Sequence, residues 1–251
     1  MSLTGSERAG AAVARTAGEH LKKVVLELGG SDAYVILDTD SAKDAADTAW
    51  GMRMENLGQA CNSNKRIIVV GERFDDIVRE LVRLASDLTP GDPLSLADGE
   101  YGPLASRSGA EHLAGQVADA VAKGATLHVG GTVDGAYFAP AVLTGVTPQM
   151  RAYSEELFGP VAVVYHAGTE EQALHLANDT EFGLGAAVFS ADVERAAAFA
   201  SRIESGMVSI NAPVAEGAEL PFGGVKRSGF GRELGPLGID EFVNKRLVYV
   251  A

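Results

Sequence analysis

Apolar positions along this chain switch repeatedly between a period near four and a period of two, so the pattern predicts helices alternating with strands. Residues 6–21 are Ala-rich with charge on one side, which predicts a helix, and residues 23–28 follow as a strand closed by Gly29-Gly30. Ser41, with Asp44 three residues on, predicts the N-cap of a helix running to about Met54. A connector then leads into an apolar strand over 66–70. Phe74, Ile77, Val78, Leu81, Val82 and Ala85 recur at helical spacing and define one buried stripe. Residues 89–103 are dense in turn formers and carry no period, which predicts a long surface loop.

Beyond the loop, the pattern predicts a helix over 107–122, short strands over 126–129 and 139–143, and a strand over 161–165. Two helix–strand units follow, 170–178 with 185–189 and 193–203 with 207–210. A Gly-rich stretch and a last apolar strand over 247–250 close the chain. That strand stands outside the unit pattern, which makes it a candidate for pairing with the sheet edge of a neighbouring copy. The alternation as a whole predicts an α/β fold, a largely parallel sheet flanked by helices.

Composition narrows the function classes. With 251 residues, 46% apolar and 22% charged, the chain is long enough for one large α/β domain or two small ones. Twenty-one basic residues against 34 acidic leave a net charge of −13, which argues against nucleic acid or an anionic membrane surface as partner. No apolar run approaches a membrane span, the N-terminus lacks an export pattern, and one cysteine cannot form an internal disulfide; a soluble cytoplasmic protein is expected. His20, His112, His128, His166 and His175 are scattered without a Cys partner or an i,i+4 pair, so no metal site is expected. Gly223-Gly224 and Gly229-x-Gly231 do not have the strand–turn–helix setting of a dinucleotide fingerprint.

Candidate chemistry centres on Cys61, the single cysteine, in Gly58-Gln-Ala-Cys61, and on Glu27, just before the Gly-Gly pair. A thiolate attacks carbonyl carbon readily, and a carboxylate can activate the water that clears the resulting thioester. From local sequence alone, Cys61 also fits an inert buried side chain, and Glu27 a solvated carboxylate at a strand end.

Leu3-Thr-Gly-Ser6, Leu26-Glu-Leu-Gly-Gly30, Gly58-Gln-Ala-Cys61, Glu155-Glu-Leu-Phe-Gly-Pro160, Pro221-Phe-Gly-Gly224 and Ser228-Gly-Phe-Gly-Arg-Glu233 occur in that order over nearly the whole chain. They resemble the successive motifs of the NAD(P)-dependent aldehyde dehydrogenase superfamily. The resemblance implies an α/β catalytic domain of the aldehyde dehydrogenase type, Cys61 as nucleophile with its own backbone amide in the oxyanion site, and Glu27 as general base. It implies that Gly5 and Ser6 open a helix facing the cofactor pyrophosphate, with Leu28 and Gly29 also on the cofactor side. Glu156 resembles the group that holds the nicotinamide ribose, Phe158 the ring that backs the nicotinamide, and Asn211 and Phe222 residues of the substrate pocket wall.

In that family the Thr-Gly-Ser motif lies deep within the chain, after a portion that forms most of the dinucleotide domain; here it begins at Leu3. The chain therefore resembles the second half of such an enzyme, with residues 1–29 a remnant of the dinucleotide-binding domain, 30–232 the catalytic domain, and 233–251 a C-terminal segment carrying an oligomerisation strand. The implied reaction oxidises a small-molecule aldehyde to a carboxylate with NAD or NADP; the choice between the two stays open, and a homo-oligomer is implied. The Gln-Ala-Cys-Asn context before Lys65-Arg66, with the Gly-Ile-Asp-Glu-Phe-Val tail, is most similar to the succinic semialdehyde dehydrogenase branch. Glu55, Glu216 and Glu219 would oppose an acidic aldehyde if they faced its pocket, with Arg53 placed to answer them, so a neutral aldehyde stays beside succinic semialdehyde. A non-catalytic fragment or interaction subunit, and a cofactor-independent thiol esterase, are the alternatives from other classes.

Overall fold

Continuous apolar runs such as Ile67-Ile68-Val69 are what a parallel strand covered on both faces requires, and in the computed structural model, which describes residues 1–215 and 217–251, they lie at the centre of a seven-stranded sheet. Its order is Ser209–Ile210, Ala186–Phe189, Ala33–Ile36, Arg66–Val70, Val161–Ala167, Ala141–Thr144 and Thr126–Val129. Every neighbouring pair is parallel except the last, which is antiparallel. Alternate residues divide between two cores. Val35, Ile68, Leu143, Val163 and Val188 pack under the helices Arg107–Ala122, Glu170–Asn178 and Val193–Ala200. Tyr34, Ile36, Ile67, Val69, Val142 and Val164 pack under Ala42–Met54 and Phe74–Ser86.

The expected α/β fold with a largely parallel sheet is the one observed. Ser41 caps the Ala42–Met54 helix as expected, its hydroxyl accepting from the Asp44 amide at 3.2 Å, a cap worth about 1 kcal/mol. Two of the differences from the pattern bear on the sheets. Ala33–Ile36, which the periodicity leaves unassigned, is a central strand between Arg66–Val70 and Ala186–Phe189; four residues without alternation are too short to register as an element. Residues 247–250, expected as a strand, have no regular structure, and Leu247 to Val250 are 68–90% exposed. A strand exists only where a second strand takes up its amides and carbonyls, and among the described residues no strand of this chain is paired with them.

A second sheet of three strands joins the chain's two ends. Ser2–Thr4 runs parallel to Val25–Glu27, and Gly229–Phe230 pairs antiparallel with the other edge of Val25–Glu27. Gly229–Phe230, from the stretch expected as the catalytic domain, thus pairs with a strand of the stretch expected as the dinucleotide-domain remnant. Ser228, fully buried, latches the two sheets, its hydroxyl donating to the Gly29 carbonyl at 2.7 Å and accepting from the Gly183 amide at 3.0 Å. No helix among the described residues is long and apolar enough to cross a membrane.

Candidate active site

The Gly-Gly pair after Glu27 is required by close approach. A Cβ on Gly29 would lie 2.6 Å from Glu156 Oε2, and one on Gly30 would lie 2.3 Å from the Cys61 carbonyl oxygen. The Gly30 amide donates to Glu156 Oε1 at 3.1 Å. The strand that ends at Glu27 thus runs into contact with both the Cys61 loop and Glu156. On its other side the Gly5 amide donates to the Glu27 carbonyl at 2.9 Å, and Ser6 caps the Glu7–Glu19 helix through the Ala9 amide. Leu28, buried, packs so tightly on that helix that a Cβ at Gly10 would meet its methyl at 2.6 Å. Cys61, Glu156, Gly29, Leu28, Glu27, Gly5 and Ser6 therefore form one connected stretch of backbone and side chains.

Three buried cations flank the loop that carries Cys61, and two of them, Arg53 and Lys65, bind its backbone. After the Ala42–Met54 helix, Asn56, Leu57 and Gly58 take φ values of 45°, 55° and 70°, a left-handed turn that costs the non-glycine residues about 1–2 kcal/mol each. Arg53, fully buried, holds this turn against the 157–159 stretch: its guanidinium donates to the carbonyls of Gly58 at 2.6 Å, Gly159 at 2.7 Å and Asn64 at 3.2 Å. The expectation that Arg53 answers acidic groups in the pocket is thereby corrected. Its donors are turned inward onto carbonyls, and burial pushes its pKa down to about 9. Lys65 donates to the carbonyls of Ala60 at 2.6 Å and Cys61 at 2.7 Å and pairs with Glu156 Oε1 at 3.2 Å. Arg66 reaches the carbonyls of Ser31, Leu176 and Ala177.

Electrostatics separate the two candidate reacting groups. Cys61 is half-buried, and burial pushes its thiol up; Lys65 pulls it down, Asp32 and Glu156 push it up, and the Asn62 amide hydrogen-bonded to the sulfur pulls it down. Glu27 is 1% exposed, and neither of its carboxylate oxygens has a hydrogen-bond partner. Burial, with Glu233 adding and Arg232 opposing, raises it from its ordinary 4.5 to about 7. Sequence reasoning passed over Asp32, whose carboxylate accepts from the Gly185 amide at 3.0 Å and is raised by burial to about 6. A carboxylate between the Gly-Gly pair and an unassigned strand left no periodic signal to find it by.

The remaining predicted residues spread outward. Phe158 is 47% exposed, two residues from Glu156. Phe222 lines a cavity of about 590 Å³ together with Asn62, Asn64, Asp32, Val214 and Leu220. Asn211 is not brought there. Its left-handed backbone, φ 54°, turns the side chain onto Ser190, whose amide and carbonyl it binds at 3.0 and 2.9 Å, beside a separate cavity of about 300 Å³. Glu55 and Glu219 are exposed and do not line the Phe222 cavity, whose one charged lining residue among those described is Asp32; Glu216 lies outside the described residues. Among the described residues no group of three or more His, Cys, Asp or Glu is arranged to hold a metal ion.

A half-buried thiol on a clamped loop and a buried unpartnered carboxylate are thus joined by a Gly-Gly contact at the meeting of two sheets. Residues 1–248 match the family model described as aldehyde dehydrogenase family, and the chain belongs to that family. It is 53% identical over 251 residues to succinate-semialdehyde dehydrogenase (NADP(+)) of Deinococcus radiodurans, covering 99% of this chain and 52% of that protein. The corresponding protein of Mycobacterium avium is 44% identical over 252 residues, with 99% and 53% covered. Among solved structures, succinic semialdehyde dehydrogenase from Streptococcus pyogenes in complex with NADP+ superposes with a TM-score of 0.93 at 40% identity, covering 99% of this chain and 55% of that one. The chain spans about half the length of the curated relatives it matches.

Proposed function

We propose that this chain carries the thioester chemistry of an NADP-dependent aldehyde oxidation, aldehyde plus NADP(+) plus water to carboxylate, with succinic semialdehyde as substrate. The observation that carries the reading is Glu27: a buried carboxylate with both oxygens unpartnered, on a strand that runs through Gly29 and Gly30 onto the Cys61 loop. Such a group, raised to about 7, is poised to take and return protons near neutral pH.

The Cys61 thiolate adds to the aldehyde carbon, forming a C–S bond and an oxyanion to which the Cys61 backbone amide donates. When bound, the nicotinamide supplies the two-electron acceptor that leaves an acyl thioester. Glu27 then takes a proton from water, the resulting hydroxide adds to the acyl carbon, and the C–S bond breaks to release carboxylate and the Cys61 thiolate.

Several local features fit the dinucleotide. With Glu156 Oε1 engaged by Gly30 and Lys65, Oε2 remains for a ribose hydroxyl, and the missing side chain of Gly29 leaves the space beside it open. Gly5 and Ser6 begin a 13-residue helix whose first amides suit a pyrophosphate, and Glu7 in its first turn is neutralised by Arg227. Phe158 presents an exposed ring for the nicotinamide face.

The NADP preference and the substrate rest on the names of the relatives and on the branch motifs. A buried succinate-type carboxylate needs a cation; the Phe222 cavity lining provides none among the described residues, so that cation comes from outside this lining. We also infer a cytoplasmic homo-oligomer assembled through the exposed apolar C-terminal segment, in which Leu237, Ile239, Phe242 and Leu247 are uncovered.

The test is succinic semialdehyde-dependent NADP(+) reduction, with butanal as the neutral comparison, and hydrolysis of p-nitrophenyl acetate, which requires no nucleotide. Cys61→Ala is expected to lower both by at least about 10³-fold. Ester hydrolysis retained by the variant overturns the nucleophile assignment, and a higher kcat/KM for butanal overturns the substrate.

A further inference from the structure

No step above uses the ammonium of Lys65. It is 1% exposed, and its three donors are matched by three acceptors: the Ala60 carbonyl at 2.6 Å, the Cys61 carbonyl at 2.7 Å and Glu156 Oε1 at 3.2 Å. A buried cation is tolerated only when its lost hydration is replaced in this way. Arg53, at the end of the Ala42–Met54 helix, is held by carbonyls alone, which is sufficient for a purely architectural tether. Lys65 differs in joining the backbone of the nucleophile to the carboxylate read as the ribose-binding group.

We propose that Lys65 is a positioning residue that ties the Cys61 loop to Glu156 and brings the charges of that ion pair to bear on the Cys61 thiol. The inference rests on the assignments of Cys61 and Glu156 made above. The charges that act on the thiol are those of Lys65, Asp32 and Glu156, with the Asn62 amide donating to the sulfur. Lys65 favours the thiolate, while Glu156 and Asp32 oppose it. Because Glu156 cancels part of the field of Lys65, deleting one charge at a time moves the thiol in opposite directions. A tether without electrostatic effect moves it in neither.

The experiment is the pH dependence of Cys61 alkylation by iodoacetamide in the 251-residue chain, read without aldehyde or nucleotide, alongside thermal unfolding. Lys65→Met is expected to move the profile upward by about one pH unit and to slow alkylation at neutral pH about tenfold. Glu156→Gln is expected to move it downward, with faster alkylation at neutral pH, and Lys65→Arg to stay near the parent. Folded Lys65→Met and Glu156→Gln proteins whose profiles coincide with the parent, or move the same way, overturn the proposal. If Lys65→Met does not fold, Glu156→Gln and Lys65→Arg decide: a downward shift with a near-parental arginine variant supports the ion pair, and an unmoved or raised Glu156→Gln profile overturns it. Absent aldehyde turnover with opposite alkylation shifts counts against the oxidation alone.

Discussion

The Cys61 loop and the C-terminal segment are both poor in long regular elements, yet they are packed in opposite ways. Around Cys61, Arg53, Lys65 and Arg66 are buried and bound to carbonyl oxygens from three neighbouring stretches, and the glycines at 29, 30 and 58 leave no room for a side chain. In residues 229–251, Phe230, Leu234, Leu237, Ile239, Phe242 and Leu247 to Val250 are exposed. An irregular loop becomes rigid when its own chain supplies buried donors for its carbonyls, because each such hydrogen bond replaces one otherwise made with water. A segment whose apolar side chains stay in water adds little to the stability of the chain that carries it, and an exposed apolar stretch of this kind is the usual mark of an interaction surface.

The contrast yields a ranked set of stability measurements by urea unfolding. Gly30→Ala is expected to have the largest effect, a loss of about 3 kcal/mol, because the added methyl falls 2.3 Å from the Cys61 carbonyl and backbone must move; a midpoint like the parent's would show that the loop is not closely packed there. Arg53→Met is expected to cost about 2 kcal/mol. It leaves the Gly58, Gly159 and Asn64 carbonyls without their donor, offset in part by removing a buried charge.

Glu27→Gln acts through pH. The folded carboxylate is raised to about 7 from 4.5, so between those values the folded state holds more protons than the unfolded one and stability falls as pH rises. The amide removes that slope, and at pH 8 the variant is expected to be about 1–2 kcal/mol more stable than the parent, allowing for solvent screening. Equal slopes in both proteins would show that Glu27 is solvated. Val248→Asp, in the tail, is expected to change monomer stability by no more than about 0.5 kcal/mol. A larger loss would erase the difference between the two regions.

Much of this architecture was legible because it depends on local chemistry. The Ser41 cap, the buried stripe of the Phe74–Ser86 helix and the apolar run Arg66–Val70 each follow from a few adjacent residues. So does the pairing of a lone Cys61 with a Gly-Gly-flanked Glu27 as candidate chemistry. The Ala33–Ile36 strand and Asp32 escaped, since neither has a period or a neighbouring signal, and residues 247–250, expected to pair with a neighbouring copy, are unpaired within the single chain.

What the sequence by itself determined, then, is the fold class and the family, with Cys61 and Glu27 as candidates for the chemistry, because propensity, period and motif are properties of contiguous residues. Only the tertiary structure decided that Arg53 clamps a turn rather than meeting a substrate, and that Asn211 binds Ser190 away from Phe222. It likewise decided that Lys65 links Cys61 to Glu156, 91 positions along the chain from Lys65, and that Glu27 is left without a partner. Hydrogen-bond partners and burial are set by residues distant in sequence, and a charge in a motif carries no sign of whether its neighbour in space is water, a carbonyl or another charge.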